Sequence, residues 1–347
     1  MKMLVLMMAA GFTFIYCILQ LFTHPVSNRN FATAPAFDTR SQLLDIPDTD
    51  PGSENGRKPS ATTDQCSPRN QPPNEEVGAK SLERRLPKCL IIGFGKCGTY
   101  ALKSFLTLHP DIVGPNHEIR FFSSYYHRGL DWYREQMPVS LESQITIEKT
   151  PNYIVSPEAL SRIRKFNDSI KLIVIVRDPL VRLQSMYAHA QAKSKRFNKT
   201  FESWVNIKGN IAYTADYAKH IKEVFRLFDA NQVLLVEGEE LEKSPLTLLR
   251  NVERFLGLCH AFTDDLLVFN RDKGFYCFNQ SSWRYPEMEE TLSLDRWTGC
   301  FPASKGREHP EIERRLMRQL LVKLNPYNEK LFALLGKRFN WTRPGRL

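Results

Sequence analysis

The stretch KCLIIGFGKCGTYALKSFLTL, from Lys88 to Leu108, decides the fold of this chain. Its apolar run Cys89–Ile92 predicts a buried parallel strand, and a glycine-rich turn, GFGKCGT, follows. Apolar residues then recur at helical spacing, at Ala101, Leu102, Phe105, Leu106 and Leu108. A strand, a glycine turn and a helix in this order direct backbone N–H groups and the positive end of the helix toward an anion. The stretch therefore predicts a site for a phosphate-like group.

Lys96 adds a full positive charge inside this turn. The order Lys-x-Gly-Thr differs from the Walker pattern, in which Gly-Lys-Ser/Thr ends the loop, so an ATP-dependent kinase is disfavoured. The alternative is a tight strand-to-helix turn that binds nothing. Evidence from the rest of the sequence is needed to choose between an anion site and a turn that binds nothing.

Strand and helix patterns alternate along the remainder of the chain. Strands are predicted at Gln144–Lys149, Ile170–Val176 and Val233–Val236. Helices are predicted at Pro157–Phe166 with Ser156 as its cap, after Pro179, from Tyr217 to Phe228, at Leu246–Leu256, and at Glu311–Leu335 with a break at Pro326. This alternation predicts an α/β fold, a central parallel sheet flanked by helices.

Several charged residues stand at the predicted carboxyl ends of strands, where open α/β sheets bind ligands. Lys96, Lys149 and Arg177 all lie at or just after such ends. The segment His117–Phe122 is expected to be extended, with Glu118 and Arg120 on one face and Ile119 and Phe121 toward the core.

The N-terminal region predicts a membrane anchor and a stem. Residues 3–22 form a run of about 20 mostly apolar residues, long enough to span a bilayer, and no small-residue cleavage site follows. We expect a signal anchor at 1–23, a flexible stem at 24–85 and a catalytic domain at 86–347, in a type II arrangement with a lumenal body. Four glycosylation sequons support that arrangement, at Asn167, Asn198, Asn279 and Asn340.

The net charge indicates which classes of partner the protein binds, and the cysteines bear on whether it lies in an oxidising compartment. A formal net charge of +10 at pH 7 favours acidic partners, which are nucleic acid, anionic lipid or an acidic polysaccharide. The spacing of the seven cysteines fits no zinc pattern. In an oxidising lumen some of them are expected to pair, and Cys277 and Cys300 are the preferred pair because they bracket a polar loop with aromatic residues.

From Leu86 to the C-terminus the chain resembles the heparan sulfate sulfotransferases, most closely the glucosaminyl 3-O-sulfotransferases. The fragments that carry the resemblance are LPKCLIIGFGKCGTYALKSFLTLHPDI, EIRFF, GLDWYREQMP, TIEKTPNY, KLIVIVRDP, YAKHI, KGFYC and SKGREHPEI, in this order. Each fragment is weakly specific alone, but their joint order is highly specific. The resemblance implies a single P-loop-like α/β domain related to nucleotide kinases.

The resemblance also implies the donor, 3′-phosphoadenosine 5′-phosphosulfate (PAPS), and chemistry that needs no metal. The matching positions for the 5′-phosphosulfate are Lys96, Cys97, Gly98, Thr99 and Tyr100, and those for the 3′-phosphate are Arg177 and Ser185. A second donor loop matches Lys305, Gly306, Arg307, Glu308 and His309, and the family's disulfide beside it matches Cys277 and Cys300.

Glu118 matches the family's catalytic base, a carboxylate that takes the proton of a sugar hydroxyl as this attacks sulfur. Lys96 and Lys149 match residues near the reacting centre. The substrate-side positions implied by the resemblance are Glu118, Arg120, Phe121, Ser123, Lys149, Thr150, Pro151 and Asn152.

The chain departs from the 3-O-sulfotransferase pattern at three of these positions. Tyr100 replaces an Arg after Gly-Thr, while Arg120 and Ser123 replace His and Asp in Glu-x-His-Phe-Phe-Asp. The expected function is a Golgi enzyme that transfers sulfate from PAPS to a glucosamine hydroxyl of heparan sulfate, with no nucleic-acid partner. The alternatives are an N- or other O-sulfotransferase acting on a different glycan, and a catalytically weak protein that binds heparan sulfate.

Overall fold

A parallel sheet forms the centre of the part of the chain that the computed structural model describes, residues 82–302 and 304–342. Its five strands stand in the order β3-β5-β2-β6-β7. Their bounds are Cys89–Gly93 for β2, Ile112–Val113 for β3, Ile145–Lys149 for β5, Lys171–Val176 for β6 and Val233–Glu237 for β7. β2 is buried along its whole length, as expected for a central strand covered on both faces.

Helices follow the strands, as the alternation predicted. They are α1 Thr99–Leu106, α2 Gly129–Glu135, α3 Pro157–Phe166, α4 Pro179–Lys193, α5 Phe201–Val205, α6 Asn210–Ala215, α7 Tyr217–Leu227, α8 Gly238–Lys243, α9 Pro245–Leu256, α10 Tyr285–Leu292 and α11 Arg314–Leu335. The hydroxyl of Ser156 caps α3 by accepting a hydrogen bond from the N–H of Ala159 at 3.2 Å. The predicted α/β class is confirmed.

The C-terminal helix α11 differs from its prediction at two points. It begins at Arg314 rather than at Glu311, and it continues through Pro326 without a break. Pro326 lacks the N–H that would bond to the carbonyl of Val322, but Val322 lies on the exposed face, where water can replace that partner. On the opposite face, Leu324 and Leu331 are buried on the two sides of the proline, and this packing keeps the helix continuous.

The segment around Glu118 is not extended, contrary to the sequence prediction. Arg120 adopts a left-handed conformation with φ of 56°, and a π-helical turn follows at Phe121–Tyr125. Phe121 and Phe122 are both buried, an arrangement that a strand with alternating faces does not allow. Phe121 stacks on Tyr133 with ring centroids 4.2 Å apart, and this aromatic packing overrides the local preference.

Two further strand pairs lie outside the central sheet. β1, Glu83–Arg84, pairs antiparallel with β4, Val139–Ser140, so the ordered fold includes residues that the sequence assigned to the stem. β8, Leu267–Asn270, and β9, Phe275–Phe278, form a hairpin. The predicted anchor and nearly all of the stem lie outside the described residues. Among the helices that are described, none has the length and apolar content to cross a membrane.

Candidate functional site

An open cleft with a volume of about 1020 Å³ lies at the carboxyl ends of β2, β5 and β6. Residues that are far apart in the sequence meet there because parallel strands end at the same edge of the sheet. The predicted site residues that line the cleft are Lys96, Cys97, Gly98, Thr99, Tyr100, Glu118, Arg120, Lys149, Pro151, Asn152, Arg177, Ser185, Lys305, Gly306, Arg307, Glu308 and His309.

Three predicted substrate-side residues, Phe121, Ser123 and Thr150, do not line the cleft. Phe121 is buried in the aromatic cluster and Thr150 is buried beneath the cleft. Ser123 is exposed outside the cleft, and its hydroxyl donates to the carbonyl of Arg120 at 3.3 Å. The π-helical turn explains Phe121 and Ser123, because it turns the chain away from the cleft directly after Arg120.

The turn between β2 and α1 is held in an anion-binding shape. Lys96 has φ of 72° and Gly98 has φ of 98°, and the first value is unusual for a residue with a side chain. The N–H of Phe94 donates to the carbonyl of Ile175 at 2.8 Å, which ties the turn to β6. Such strain persists where the surrounding structure imposes it, typically at a ligand site.

Arg182 supports this turn from below, a role that the sequence did not reveal. Its Nε donates to the carbonyl of Gly95 at 2.9 Å, and a terminal nitrogen donates to the carbonyl of Thr214 at 2.6 Å. The guanidinium also lies 5.1 Å from the ring centroids of both Phe94 and Tyr217. Only the position of Arg182 on the helix after β6 hints at this contact.

Positive charge accumulates in the cleft. Burial, together with the neighbouring cations Arg307, Lys305 and Arg177, lowers the pKa of Lys96. The pKa of His309 is likewise lowered, first by burial and then by Arg177 and Lys96. Cations that depress one another's pKa values gain most from an anionic ligand, which relieves their mutual repulsion.

Tyr100 connects the first donor turn with the C-terminal loop. The Nζ atom of Lys305 lies 3.9 Å from the centroid of the Tyr100 ring, and that of Lys149 lies at 5.8 Å. On its other side the ring packs edge-on against Phe301, with centroids 5.3 Å apart. The ring of Tyr100 thus contacts Lys305 closely and lies near a second lysine of the cleft, Lys149.

Glu118 is the carboxylate placed next to these cations. Its Oε1 accepts a hydrogen bond from Lys149 Nζ at 2.8 Å, and its Oε2 lies 3.5 Å from a terminal nitrogen of Arg120. The side chain of Glu118 is 31% exposed, so its carboxylate remains accessible from the cleft. Glu118 therefore pairs with both Arg120 and Lys149, and the contact to Lys149 is the shorter one.

A buried network fixes the backbone beside Glu118. The hydroxyl of Thr150 accepts from the N–H of Arg120 at 3.2 Å and donates to Glu148 Oε1 at 2.5 Å. Burial raises the pKa of Glu148 to about 7, and Tyr133 donates to its second oxygen at 3.3 Å. Thr150 thus supports the site indirectly, because it fixes the backbone next to Glu118.

Arg177 directly follows β6 and contacts two carboxylates. Its guanidinium bonds to Glu242, and its Nε lies 3.9 Å from Glu239 Oε1. The Nε atom is buried and has no hydrogen-bond partner. An unsatisfied buried guanidinium N–H has donor capacity left for an anion.

The cleft has further lining residues that the sequence did not predict as site residues. They are Gly95, Ala101, Phe105, Arg182, Met186, His189, Ala190, Lys193, Trp204, Tyr213, Gly238, Leu241, Glu242, Lys273, Gly274, Phe275, Tyr276, Phe301 and Ser304. Four of them, Lys273, Gly274, Phe275 and Tyr276, belong to the KGFYC fragment of the family resemblance. Gly238 has to be small, because a Cβ there would lie 2.7 Å from the carbonyl oxygen of Cys97.

Two of the described cysteines form a disulfide near the cleft, and two others are free thiols in the core. Cys277 and Cys300 form a disulfide with a Cα–Cα distance of 4.6 Å, as predicted. Cys89 and Cys97 are free and buried. Burial raises the pKa of the Cys97 thiol, whose Sγ lies 3.5 Å from the hydroxyl of Tyr217. The raised pKa disfavours the thiolate form of Cys97, which lies in the turn between β2 and α1.

The loop between the disulfide cysteines exposes two of its aromatic residues. Trp297 is 82% exposed and Trp283 is partly exposed, whereas Tyr285 is buried. The predicted glycosylation residues Asn198 and Asn340 are exposed, and Asn167 and Asn279 are partly buried. Within residues 82–302 and 304–342, no group of three or more His, Cys, Asp or Glu side chains is placed to hold a metal ion.

Comparisons with known proteins agree with this geometry. Residues 86–296 match the sequence profile of the family described as Sulfotransferase domain. The chain is 36% identical over 280 residues to heparan sulfate glucosamine 3-O-sulfotransferase 5 of Homo sapiens, covering 77% of each chain. It is 40% identical over 272 residues to heparan sulfate glucosamine 3-O-sulfotransferase 3B1 of Homo sapiens, covering 75% of this chain and 66% of that protein.

A solved structure supports the fold. The sulfotransferase from Alicyclobacillus acidocaldarius superposes with a TM-score of 0.53 at 19% identity, over 74% of this chain and 98% of that one. Together with the match over residues 86–296 and the cationic cleft, these similarities settle the family. The chain belongs to the sulfotransferase family and is a PAPS-dependent sulfotransferase.

Proposed function

We propose that this protein transfers the sulfuryl group of PAPS to the 3-hydroxyl of a glucosamine unit in heparan sulfate. The observation that carries the proposal is the placement of the accessible carboxylate of Glu118 beside Lys149 in a cleft that also holds Lys96, Arg177 and Lys305. The choice of acceptor is supported by the relatives named as heparan sulfate glucosamine 3-O-sulfotransferases.

The residues of the cleft fit a donor with two anionic ends. Lys96 and the backbone of the turn through Tyr100 would hold the phosphosulfate, at the start of α1. Arg177, whose Nε has no partner, would hold the 3′-phosphate together with Ser185. Residues 305–309 would close the site, since Lys305 and Arg307 already crowd Lys96 with positive charge.

Glu118 is assigned the role of general base. A sugar hydroxyl is a poor nucleophile, so a carboxylate within hydrogen-bond reach has to accept its proton as it attacks sulfur. The hydrogen bond from Lys149 Nζ at 2.8 Å orients the carboxylate of Glu118. The Thr150–Glu148 network beneath it holds the adjoining backbone in place.

Lys96 and Lys149 are assigned to charge stabilisation. PAPS supplies the sulfuryl group, and fixed ammonium groups stabilise the charge that develops on the oxygens around it. The partial burial of Lys96 strengthens this effect because the low local dielectric screens the interaction less. The expectation that the reaction needs no metal stays a prediction.

The acceptor side carries charges that suit a polyanion. Arg120 is exposed at the cleft beside Glu118, and Asn152 and Pro151 line the same wall. Arg120 would contact a carboxylate or sulfate group of the polysaccharide, in place of the His of the family pattern. Trp283 and Trp297 offer exposed rings that can pack on sugar rings.

We further infer a Golgi type II membrane protein with a lumenal catalytic domain. The apolar run at residues 3–22 and the sequons at Asn167, Asn198, Asn279 and Asn340 support this location. Microsomes from expressing cells test it: resistance of the domain to protease, together with sensitivity of its apparent mass to glycosidase, is expected. Complete digestion in intact microsomes would contradict the inference.

The function is tested by incubating the lumenal domain with labelled PAPS and defined heparan sulfate oligosaccharides, and then mapping the modified position. We expect label at a glucosamine 3-hydroxyl. Glu118→Gln should abolish transfer while leaving donor affinity nearly unchanged, and Glu135→Gln, an exposed carboxylate of α2, serves as the matched control. Donor binding without transfer to any glycosaminoglycan would favour a binding protein, and label at another position would reassign the acceptor.

A further inference from the structure

Arg177 is already engaged by carboxylates in the structure, although it is the residue assigned to the 3′-phosphate. Its guanidinium bonds to Glu242, which belongs to α8 and lines the same cleft. Glu239, on the same helix, lies 3.9 Å from Arg177 Nε. A ligand that binds Arg177 therefore has to share or replace one of these contacts.

The two carboxylates have different roles. Glu239 is part of the scaffold, since its Oε1 accepts a hydrogen bond from the N–H of Asp178 at 2.9 Å and its side chain is largely buried. Burial also raises the pKa of Glu239 to about 7, so it carries less than a full negative charge near neutral pH. The side chain of Glu242 is 48% exposed, and Arg177 is its ion-pair partner.

The ion pair between Arg177 and Glu242 can dissociate at a small cost in free energy. Solvent-exposed ion pairs contribute about 0.2–1 kcal/mol, and the half-exposed carboxylate of Glu242 places the loss of this pair on the order of 1 kcal/mol. Glu242 can turn into solvent once released, because almost half of its side chain is already exposed. A phosphate carries more negative charge than a carboxylate and presents three acceptor oxygens to the same guanidinium.

We propose that Glu242 occupies Arg177 in the donor-free enzyme and competes there with the 3′-phosphate, so that it weakens the binding of both PAPS and its 3′-phosphorylated product. Glu242 is thus a residue that sets nucleotide affinity and eases product release. The proposal rests on the proposed function through the assignment of Arg177 to the 3′-phosphate.

The experiment measures binding of adenosine 3′,5′-bisphosphate and of adenosine 5′-phosphate by titration calorimetry. Glu242→Gln removes the charge and keeps the shape of the side chain. We expect it to bind the bisphosphate about two- to five-fold more tightly, the worth of an exposed ion pair, with little gain for the monophosphate. Inhibition of transfer by the bisphosphate should strengthen by the same factor.

Glu240→Gln is the matched control, because Glu240 lies on the same helix outside the ion pairs that Arg177 makes in the described part of the chain. It removes an equal charge, so its effect measures long-range electrostatics alone. The proposal is overturned if Glu242→Gln gains no affinity, if the gain is equal for both nucleotides, or if Glu240→Gln gains as much.

Arg177→Ala separates this proposal from the function on which it rests. If Arg177→Ala keeps the wild-type preference for the bisphosphate over the monophosphate, the assignment of Arg177 to the 3′-phosphate is wrong. If that preference is lost while Glu242→Gln behaves as wild type, only the competition is wrong. In the double variant the gain from Glu242→Gln should vanish, because its cause is the contact with Arg177.

Discussion

Tyr100 presents its ring to Lys305, whose Nζ lies 3.9 Å from the ring centroid, and this contact predicts how the two donor segments cooperate. A carboxylate at this place would neutralise the lysine and compete with the donor. An aromatic face instead holds an ammonium group without removing its charge. Tyr100 therefore positions Lys305 while leaving its full charge for the anion.

The perturbation is Tyr100→Leu, compared with Tyr100→Phe. Cation–π contacts contribute ~0.5–2 kcal/mol, which corresponds to about a two- to thirty-fold change in affinity. Lys149, at 5.8 Å, lies close to the distance limit and adds little. We expect Tyr100→Leu to weaken donor binding within this range, and Tyr100→Phe, which keeps the ring, to stay within about two-fold of wild type.

The assay combines titration of adenosine 3′,5′-bisphosphate with steady-state transfer, so that KM for PAPS and kcat are obtained separately. Thermal unfolding of each variant checks that the edge-on packing of Tyr100 against Phe301 has not been lost with the ring. Wild-type affinity in folded Tyr100→Leu would refute the reasoning. Equal losses in Tyr100→Phe and Tyr100→Leu would show that the hydroxyl matters and the ring does not.

Three further predictions concern charge, the disulfide and pH. Lys96→Ala should lower kcat/KM for PAPS about ten- to hundred-fold, which is the worth of a hydrogen bond to a charged group. Both KM and kcat should change, and an unaffected rate would contradict the role of Lys96. Replacing both Cys277 and Cys300, which are separated by 23 residues, by Ser should cost about 3 kcal/mol of unfolding free energy; an unchanged midpoint in urea would argue against this. Burial raises the pKa of Glu148 from 4.5 to about 7, so its contribution to stability is fully present below pH 4.5 and is lost as the pH rises through 7. Glu148→Gln should remove roughly 3 kcal/mol from the change of the unfolding free energy with pH. If the wild type and Glu148→Gln show parallel pH profiles of unfolding, the raised pKa of Glu148 is disproved.

The chain's local patterns predicted most of the scaffold. Apolar runs located β2, β5, β6 and β7 to within a residue or two. The glycine turn with Lys96, between a strand and a helix, predicted a site for a phosphate-like group, and the family resemblance assigned that site to the donor. The predictions failed where tertiary packing overrides local preference: at Phe121 and Phe122, whose rings are both buried, and at Pro326, which a well-packed helix tolerates.

The contacts within the cleft were not predictable in the same way. Tyr100 and Lys305 are far apart in the chain, and no local pattern states that the ring of one supports the ammonium group of the other. The same holds for Arg177 and Glu242, and for Arg182 beneath the donor turn. These pairs depend on where elements meet in space.

The sequence by itself predicted the α/β class and an anion-binding turn at Lys96, because periodicity and glycine placement are local properties of the chain. The roles of that turn as donor site and of Glu118 as candidate base were implied by the resemblance to the 3-O-sulfotransferases. Only the tertiary structure decided which charges face one another. It placed Lys149 against Glu118, left Arg177 Nε without a partner and brought Glu242 to the same guanidinium. The physical reason is that electrostatic contacts depend on distance and burial, and both are set by the packing of the whole domain.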